Sequence, residues 1–318
     1  MIKTTFLAGL VFLISGTVSL GTTKLAIPVL KGRGFEGTDL HKARKVKVAE
    51  MGGIGLVIGL VVGVVAFAVS RRSSVLLVSA LVLALLASIG VYDDLNKIRG
   101  RFKLALCFLA CIAVFSVAPL EPTDFLSSLL PVSLIPAAMA VGVAAAANAA
   151  NILAGFNGIE AGTTAIGGGF LLCIAYLEGS IGGVILSSAL IASCLGFLWF
   201  NRYPAKVFPG DVGTLPMGGA LALTALVAGV EYLGPIIFLP HLVELGCKMK
   251  NKFAPKESTG HASLGGDGKL NPGDYAAFVH FLMRIFPGGE RRLVHIIWMI
   301  EVVLGVLALI TYLAIEAL

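Results

Sequence analysis

Along this chain the apolar residues come in runs of about 20, the length a helix needs to cross a bilayer core. Ten such runs stand out, at approximately 5–30, 51–70, 74–92, 103–120, 131–150, 163–178, 181–200, 214–231, 233–249 and 293–316. Glycine recurs inside them, as at Gly52, Gly53, Gly55, Gly59 and Gly63. Small residues let helices approach closely in lipid, so their first meaning is packing. The pattern predicts an all-α, polytopic membrane protein of about ten transmembrane helices, with residues 1–318 forming one integral membrane domain.

Composition strengthens that reading. Of 318 residues, 57% are hydrophobic and only 13% are charged, with a mean hydropathy of +0.95. A soluble domain carries roughly a quarter charged residues. The N-terminal MIKTTFLAGLVFLISGTVSL begins as a signal peptide would, but its apolar character continues toward Leu30, which favours a first span. The five cysteines all lie in apolar stretches without a CxxC or Cys/His grouping, and read as buried free thiols.

Charge then orients the chain. With the N-terminus outside, the inner loops are about 31–50, 93–102, 151–162, 201–213 and 250–292. Counting flanking helix ends, these hold 21 of the 24 lysines and arginines, leaving only Lys3, Arg71 and Arg72 outside. That asymmetry predicts both termini outside and the large loops cytoplasmic. The formal charge of +6 therefore reads as loops facing anionic lipid, and not as a nucleic-acid surface. Nearly all polar clusters fall on the same side: GTDLHK (37–42) with Glu50, YDDLNK (92–97), FNRYPAKVFPGDVGT (200–214) and ESTGHASLGGDGK (257–269). The remaining inner stretch, NAANILAGFNGIEAG (148–162), packs three asparagines and Glu160 where an apolar run ends.

Each cluster admits a bland and a sharp reading. Asn148, Asn151, Asn157 and Glu160 can cap helices around Gly155 and Gly158, or they can form a polar ligand or metal site at the membrane surface. Asp93 and Asp94 can be a helix end reaching water, or a pair suited to a divalent cation or general-base work. Asp211 reads as the N-cap of the following helix, and its second oxygen could still reach a metal. Asn151 and Asp211 are oxygen donors, which points to Mg²⁺ or Mn²⁺ and away from zinc. Lys42, Lys97, Lys103 and Lys206 either mark topology or meet phosphates of lipid or nucleotide. His261 sits in a Gly-rich stretch that reads as a surface loop. There is no GxxxxGK[ST], HExxH or nucleophile-elbow serine.

Taken together, these motifs resemble the polyprenyl-phosphate N-acetylhexosamine-1-phosphate transferases, over nearly the whole chain and in that family's order. DDLNKIRGRFK (93–103) looks like the family's paired-aspartate loop, and FNRYPAKVFPGDVG (200–213) like its segment ending in Gly-Asp. NILAGFNGIEAG (151–162) is closer to the eukaryotic dolichyl-phosphate GlcNAc-1-phosphate transferase form than to the bacterial NxTDGxDG form, and DLHK with Glu50 also sits as in the eukaryotic branch. The eukaryote-like motifs and short outer loops fit an archaeal enzyme.

The resemblance implies a Mg²⁺-dependent transfer of a sugar 1-phosphate, GlcNAc-1-phosphate first, from a UDP-sugar to polyprenyl or dolichyl phosphate in the plasma membrane, with the active site on the cytoplasmic face. Release of UMP would open lipid-linked oligosaccharide assembly for N-glycosylation. The resemblance makes Asn151 and Asp211 the magnesium ligands, Asp93 and Asp94 the catalytic pair, and Lys103 the phosphate-binding lysine. It makes Leu40, Asn157 and Phe208 contacts to uridine, with Asn148 and Glu50 lining the same pocket. The fifth loop departs: it holds a lone His261 where the eukaryotic enzymes carry Arg-His-Arg and the muropeptide branch a triple histidine, so the sugar stays open. Members of the family often form homodimers, which no single stretch here reveals. The alternatives are a muropeptide- or pseudomurein-type transferase and, more distantly, a secondary transporter. A transporter should place its polar residues near mid-membrane, and here they cluster at one face.

Overall fold

The computed structural model describes residues 2–42, 46–118, 120–251, 262–273 and 277–317. Among them, nine helices are long and apolar enough to cross a membrane. In chain order α1 spans Ile2–Gly32, α2 Gly53–Arg71, α3 Ser74–Asn96 and α4 Gly100–Val117. A short surface helix, α5, covers Asp124–Leu129. Then come α6 (Ile135–Ile152), α7 (Ile159–Leu177), α8 (Ile181–Asn201) and α9 (Asp211–Ala228). The chain closes with α10 (Gly234–Ile237), α11 (Leu239–Asn251), α12 (Phe278–Ile285) and α13 (Glu290–Glu316).

The ninth apolar run, 233–249, is helical but broken. Pro240 has no N–H to offer the Ile236 carbonyl, so the hydrogen-bond ladder stops and restarts. The second piece, α11, carries His241, Glu244, Lys248 and Lys250, which suits a segment leaving lipid for a polar cavity.

Burial rises toward the middle of the bundle. α8 and α9 are the most buried spans, and α1 is largely exposed on the outside. α9 packs against α3, α6 and α8, while α1 lies along α2 and α8. Small residues make the close crossings, as the sequence predicts. At Gly59 an added Cβ would come within 2.6 Å of the Ser15 carbonyl. At the same α1–α2 interface the Thr22 hydroxyl donates to Gly55 O at 3.0 Å, and on the other side of α1 the Ser19 hydroxyl donates to Ser193 O of α8 at 2.8 Å.

Two hairpins serve the same end of the bundle. β1 (Glu36–Asp39) pairs antiparallel with β2 (Val46–Ala49), and β3 (Ser263–Leu264) with β4 (Leu270–Asn271). The first hairpin is clasped to the segment before α9. Phe208 N donates to Ala49 O at 2.8 Å, Gly52 N to Phe208 O at 2.9 Å and Gly53 N to Pro209 O at 2.9 Å. The 31–50 and 201–213 loops thus form one backbone unit. His261 lies outside the described residues.

Gly90 allows α3 to approach the first turn of α9. A Cβ there would meet Asp211 O at 2.4 Å and Val212 N at 2.5 Å. Gly90→Ala is therefore expected to force the helices apart at a cost of about 1–3 kcal/mol. The check is the thermal midpoint of the detergent-solubilised protein: a clear fall is expected, and an unchanged midpoint would contradict this packing.

Candidate active site

The site begins at the N-terminus of α9. Gly210 holds φ at 65°, which a side chain rarely adopts, and the helix starts at the next residue without a cap from its own chain segment. Asp94, from the end of α3, supplies the cap instead. Its two carboxylate oxygens accept the N–H groups of Asp211 at 2.8 Å and Val212 at 3.0 Å. A carboxylate there satisfies two orphan donors and meets the positive end of the helix dipole. The N-cap role that the sequence suggests for Asp211 is thus filled by Asp94, and the Asp211 carboxylate is left to turn elsewhere.

It turns to Lys103. α3 ends at Lys97, whose left-handed backbone (φ 50°) reverses the chain within a few residues into α4. One turn into α4, the Lys103 ammonium donates to Asp93 at 3.0 Å and to Asp211 on the other side. The second oxygen of Asp93 accepts the Ile98 N–H at 2.8 Å. Two carboxylates thus share one ammonium, and each of the three side chains is mostly buried. One negative charge remains in a place of low dielectric, which favours a further cation or a proton.

Asp211 also lines a cavity of about 740 Å³. Of the residues singled out from sequence, Leu40, Asn151, Asn157, Phe208 and Asp211 all line it. Asn151 and Asp211 therefore bring two oxygen-bearing side chains to one cavity, a donor set that suits Mg²⁺ when substrate phosphates complete the shell. Among the described residues no group of three or more His, Cys, Asp or Glu side chains gathers for a metal. Asn148 does not reach the cavity: its amide donates to Ala144 O at 2.9 Å and meets the Cys107 thiol of α4. Glu50 is exposed and lies over Gly37. Lys97 borders a groove between α3 and α4, and Lys206 a different cavity, so of the four lysines Lys103 is the one that meets Asp93 and Asp211.

The opposite wall is a buried polar network that the sequence did not single out as a unit. Asn157 donates its side-chain amide to Asp39 at 3.0 Å and its backbone N–H to Glu290 at 2.7 Å. Lys42 pairs with Glu290 at 2.6 Å and Asp39 at 3.3 Å, and stands 3.5 Å from the Tyr203 ring centre. His41 stacks on Phe156 with ring centres 4.5 Å apart. The first loop, the break before α7 and the start of α13 are tied together here. Gly155 (φ 115°) and Gly158 (φ 86°) make that break, and the buried Glu160 lines the cavity beside it. From the broken helix come Glu244, which accepts the Phe278 N–H at 2.7 Å, and Lys248, which donates to Ile152 O at 2.5 Å. Both line the cavity, and sequence periodicity had placed them in a span.

Removing one partner of a buried ion pair leaves the other charge stranded, at about 3–5 kcal/mol. Glu290→Ala is expected to lower the thermal midpoint, by less than that full cost, because it leaves Lys42 with Asp39 alone and frees the Asn157 N–H. A midpoint equal to wild type would show that this network does not hold the loops.

Comparison with known proteins agrees with the geometry. Residues 75–229, from α3 through the end of α9, match the family model described as glycosyl transferase family 4. A Methanocaldococcus jannaschii protein, provisionally named a glycosyltransferase, is 31% identical over 86% of this chain and 87% of its own. A Sulfolobus acidocaldarius protein, provisionally named a UDP-N-acetylglucosamine–dolichyl-phosphate N-acetylglucosaminephosphotransferase, is 30% identical over 92% of each chain. A phospho-N-acetylmuramoyl-pentapeptide-transferase of Desulforamulus reducens is 33% identical over 72% of this chain and 75% of its own. Sequence similarity over this length, together with nine apolar spans among the described residues, makes the chain a multi-pass membrane member of glycosyl transferase family 4.

Proposed function

We propose that this protein transfers a sugar 1-phosphate, GlcNAc-1-phosphate first, from a UDP-sugar to a polyprenyl or dolichyl phosphate and releases UMP. The observation that carries the proposal is the joining of a cavity and a charge cluster at one end of the bundle, with an apolar groove running toward them. A cavity with the Phe208 ring and Leu40 on its wall suits a nucleotide base, and Asp211 links that cavity to Asp93 and Lys103. The groove runs from Leu126, Glu231 and Pro235 at the opposite end of the bundle to Ala149 and Leu242. That groove, of about 320 Å³, is lined by Met139, Gly142 and Ala149 of α6 and by Phe238 and Leu242. Ala149 is two residues from Asn151, so a prenyl chain lying there would bring its phosphate toward the aspartates. The names of the archaeal relatives support the same substrates. The charge asymmetry of the loops supports a cytoplasmic site with both termini outside.

In this reading an oxygen of the lipid phosphate attacks the β-phosphorus of the UDP-sugar. A new P–O bond forms, the bond to the α-phosphate oxygen breaks, and UMP leaves with the electron pair. Catalysis of this kind rests on positioning and charge. Asp94 has both oxygens committed to backbone donors, so its part is to hold Asp211 in place. Asp93 shares one oxygen with the Ile98 N–H and the other with Lys103, whose ammonium can move to a phosphate, so Asp93 is the carboxylate placed to take the proton of the attacking phosphate. Lys103 can exchange a carboxylate for a phosphate oxygen without leaving the site. Asn151 and Asp211 are the residues that would hold Mg²⁺ or Mn²⁺. When bound, the metal supplies Lewis-acid neutralisation of the diphosphate and the leaving UMP.

The test is UMP release by purified protein given UDP-GlcNAc, dolichyl phosphate and Mg²⁺. Asp93→Asn and Asp211→Asn are each expected to reduce the rate by about 10²-fold or more, and chelation with EDTA to abolish it. Normal rates in both variants would overturn the assignment. A muropeptide-type substrate is favoured by relatives such as the Desulforamulus reducens enzyme. Tighter binding of a UDP-muropeptide than of UDP-GlcNAc would move the donor assignment to that class.

A further inference from the structure

The end of α8 and the first turns of α13 enclose another cavity, of about 720 Å³, which shares only Asn157 with the one described above. Its walls are basic and aromatic. Arg202 lies over the Trp199 ring at 4.5 Å, and Arg291 over the Tyr203 ring at 4.7 Å. Lys206 lines the same space. Among the described residues, no carboxylate stands within ion-pair distance of Arg202, Lys206 or Arg291. The acids nearby are already engaged: Glu290 with Lys42 and Asn157, and Asp39 with the same two residues. Three positive charges without an acidic partner therefore face one exposed space, which suits an anion.

The mouth of this cavity lies at the edge of the membrane-facing surface. Trp199 is 60% exposed at the end of an apolar helix, and Met299 and Val303 on α13 are 66% and 64% exposed. Tryptophan and arginine at helix ends are the usual residues of the headgroup level. A third cavity, of about 700 Å³, shares His295 with this one and runs along the neighbouring face of α13, from Phe286 and Arg292 past Ile296, Met299, Ile300 and Val303 to Leu304. From His295 to Leu304 the helix rises about 14 Å. A basic pocket opening onto an apolar trough has the shape of a lipid site. A soluble anion would use the first part alone.

We propose that these joined cavities bind one anionic phospholipid, its phosphate among Arg202, Lys206 and Arg291 and an acyl chain along α13. This site is distinct from the groove beside α6. Because Asn157 and Tyr203 separate it from the nucleotide cavity, a lipid bound here backs directly onto the Asp39–Lys42–Glu290 network.

The chain has two tryptophans, and both line this cavity, so intrinsic fluorescence reports on it directly. The full chain would be placed in phosphatidylcholine nanodiscs carrying a minor fraction of acyl-brominated lipid, either phosphatidylglycerol or phosphatidylcholine. Each cation near a membrane surface is worth on the order of fivefold in affinity for anionic lipid, so enrichment of about tenfold or more is expected after screening. Brominated phosphatidylglycerol should then quench clearly more than brominated phosphatidylcholine. The double variant Arg202→Gln, Arg291→Gln should quench equally with both, while Arg202→Lys, Arg291→Lys keeps the preference and controls for folding. Equal quenching in the wild type, or a preference untouched by the glutamines, would overturn the proposal. An emission change on adding inorganic phosphate to pure phosphatidylcholine discs, without headgroup preference, would assign the pocket to a soluble anion instead.

Discussion

The structure depends on the capping of α9 by Asp94. Two backbone donors at the start of a buried helix need acceptors, and the helix's own N-terminal segment, Pro209-Gly210, offers none. A carboxylate from α3 accepts both, each as a charge-assisted bond of about 1.5–3 kcal/mol. This fixes the height and rotation of α9 relative to α3, and with them the separation of Asp93 from Asp211. Gly90 permits the approach, and Lys103 then fits between the two carboxylates. The chemistry of the site follows from a helix-capping requirement met across the bundle.

A second constraint holds the cavity open. Loops at a membrane surface cost conformational entropy to order, and this chain orders three of them with few side chains. The β1–β2 hairpin is clasped through its backbone to the segment before α9, which places Phe208 and Leu40 on one wall. Asp39, Lys42, Asn157 and Glu290 tie the same hairpin to the start of α7 and α13. The break at Pro240 brings α11 in from the other side, with Glu244 and Lys248 facing the cavity. Hydrogen bonds and ion pairs in this half-dry setting are worth more than on an open surface, and more costly to leave incomplete.

Much of this was legible in the chain because lipid imposes a simple rule on spans. Nine of the ten apolar runs are continuous helices, and the remaining one departs where Pro240 interrupts the backbone ladder and ionisable residues follow. The clustering of Asn151, Asn157 and Asp211 at one cavity could be read from motif order. The partners of Asp94 and Asn157 could not, since Asp94 meets residues 117 and 118 positions away and Asn157 N–H meets Glu290 133 positions away. Glu290 opens an apolar run and reads as an ordinary helix-start acid until the fold sets Lys42 beside it. Asn148 and Glu50 sit in the right stretches, but helix phase turns Asn148 onto α4, and Glu50 is exposed over Gly37. For a lone residue, motif membership does not determine direction.

The polar end of the bundle is proposed to build a lipid-linked sugar. The most direct measurement is product formation by the purified full chain from radiolabelled UDP-GlcNAc, dolichyl phosphate and Mg²⁺, comparing wild type with Lys103→Met. A labelled, lipid-extractable diphosphate product is expected from wild type, with its near loss in the variant. Lipid-linked product formed equally well without Lys103 would contradict the proposal, as would the absence of any such product from active, folded wild type across dolichyl and shorter polyprenyl phosphates.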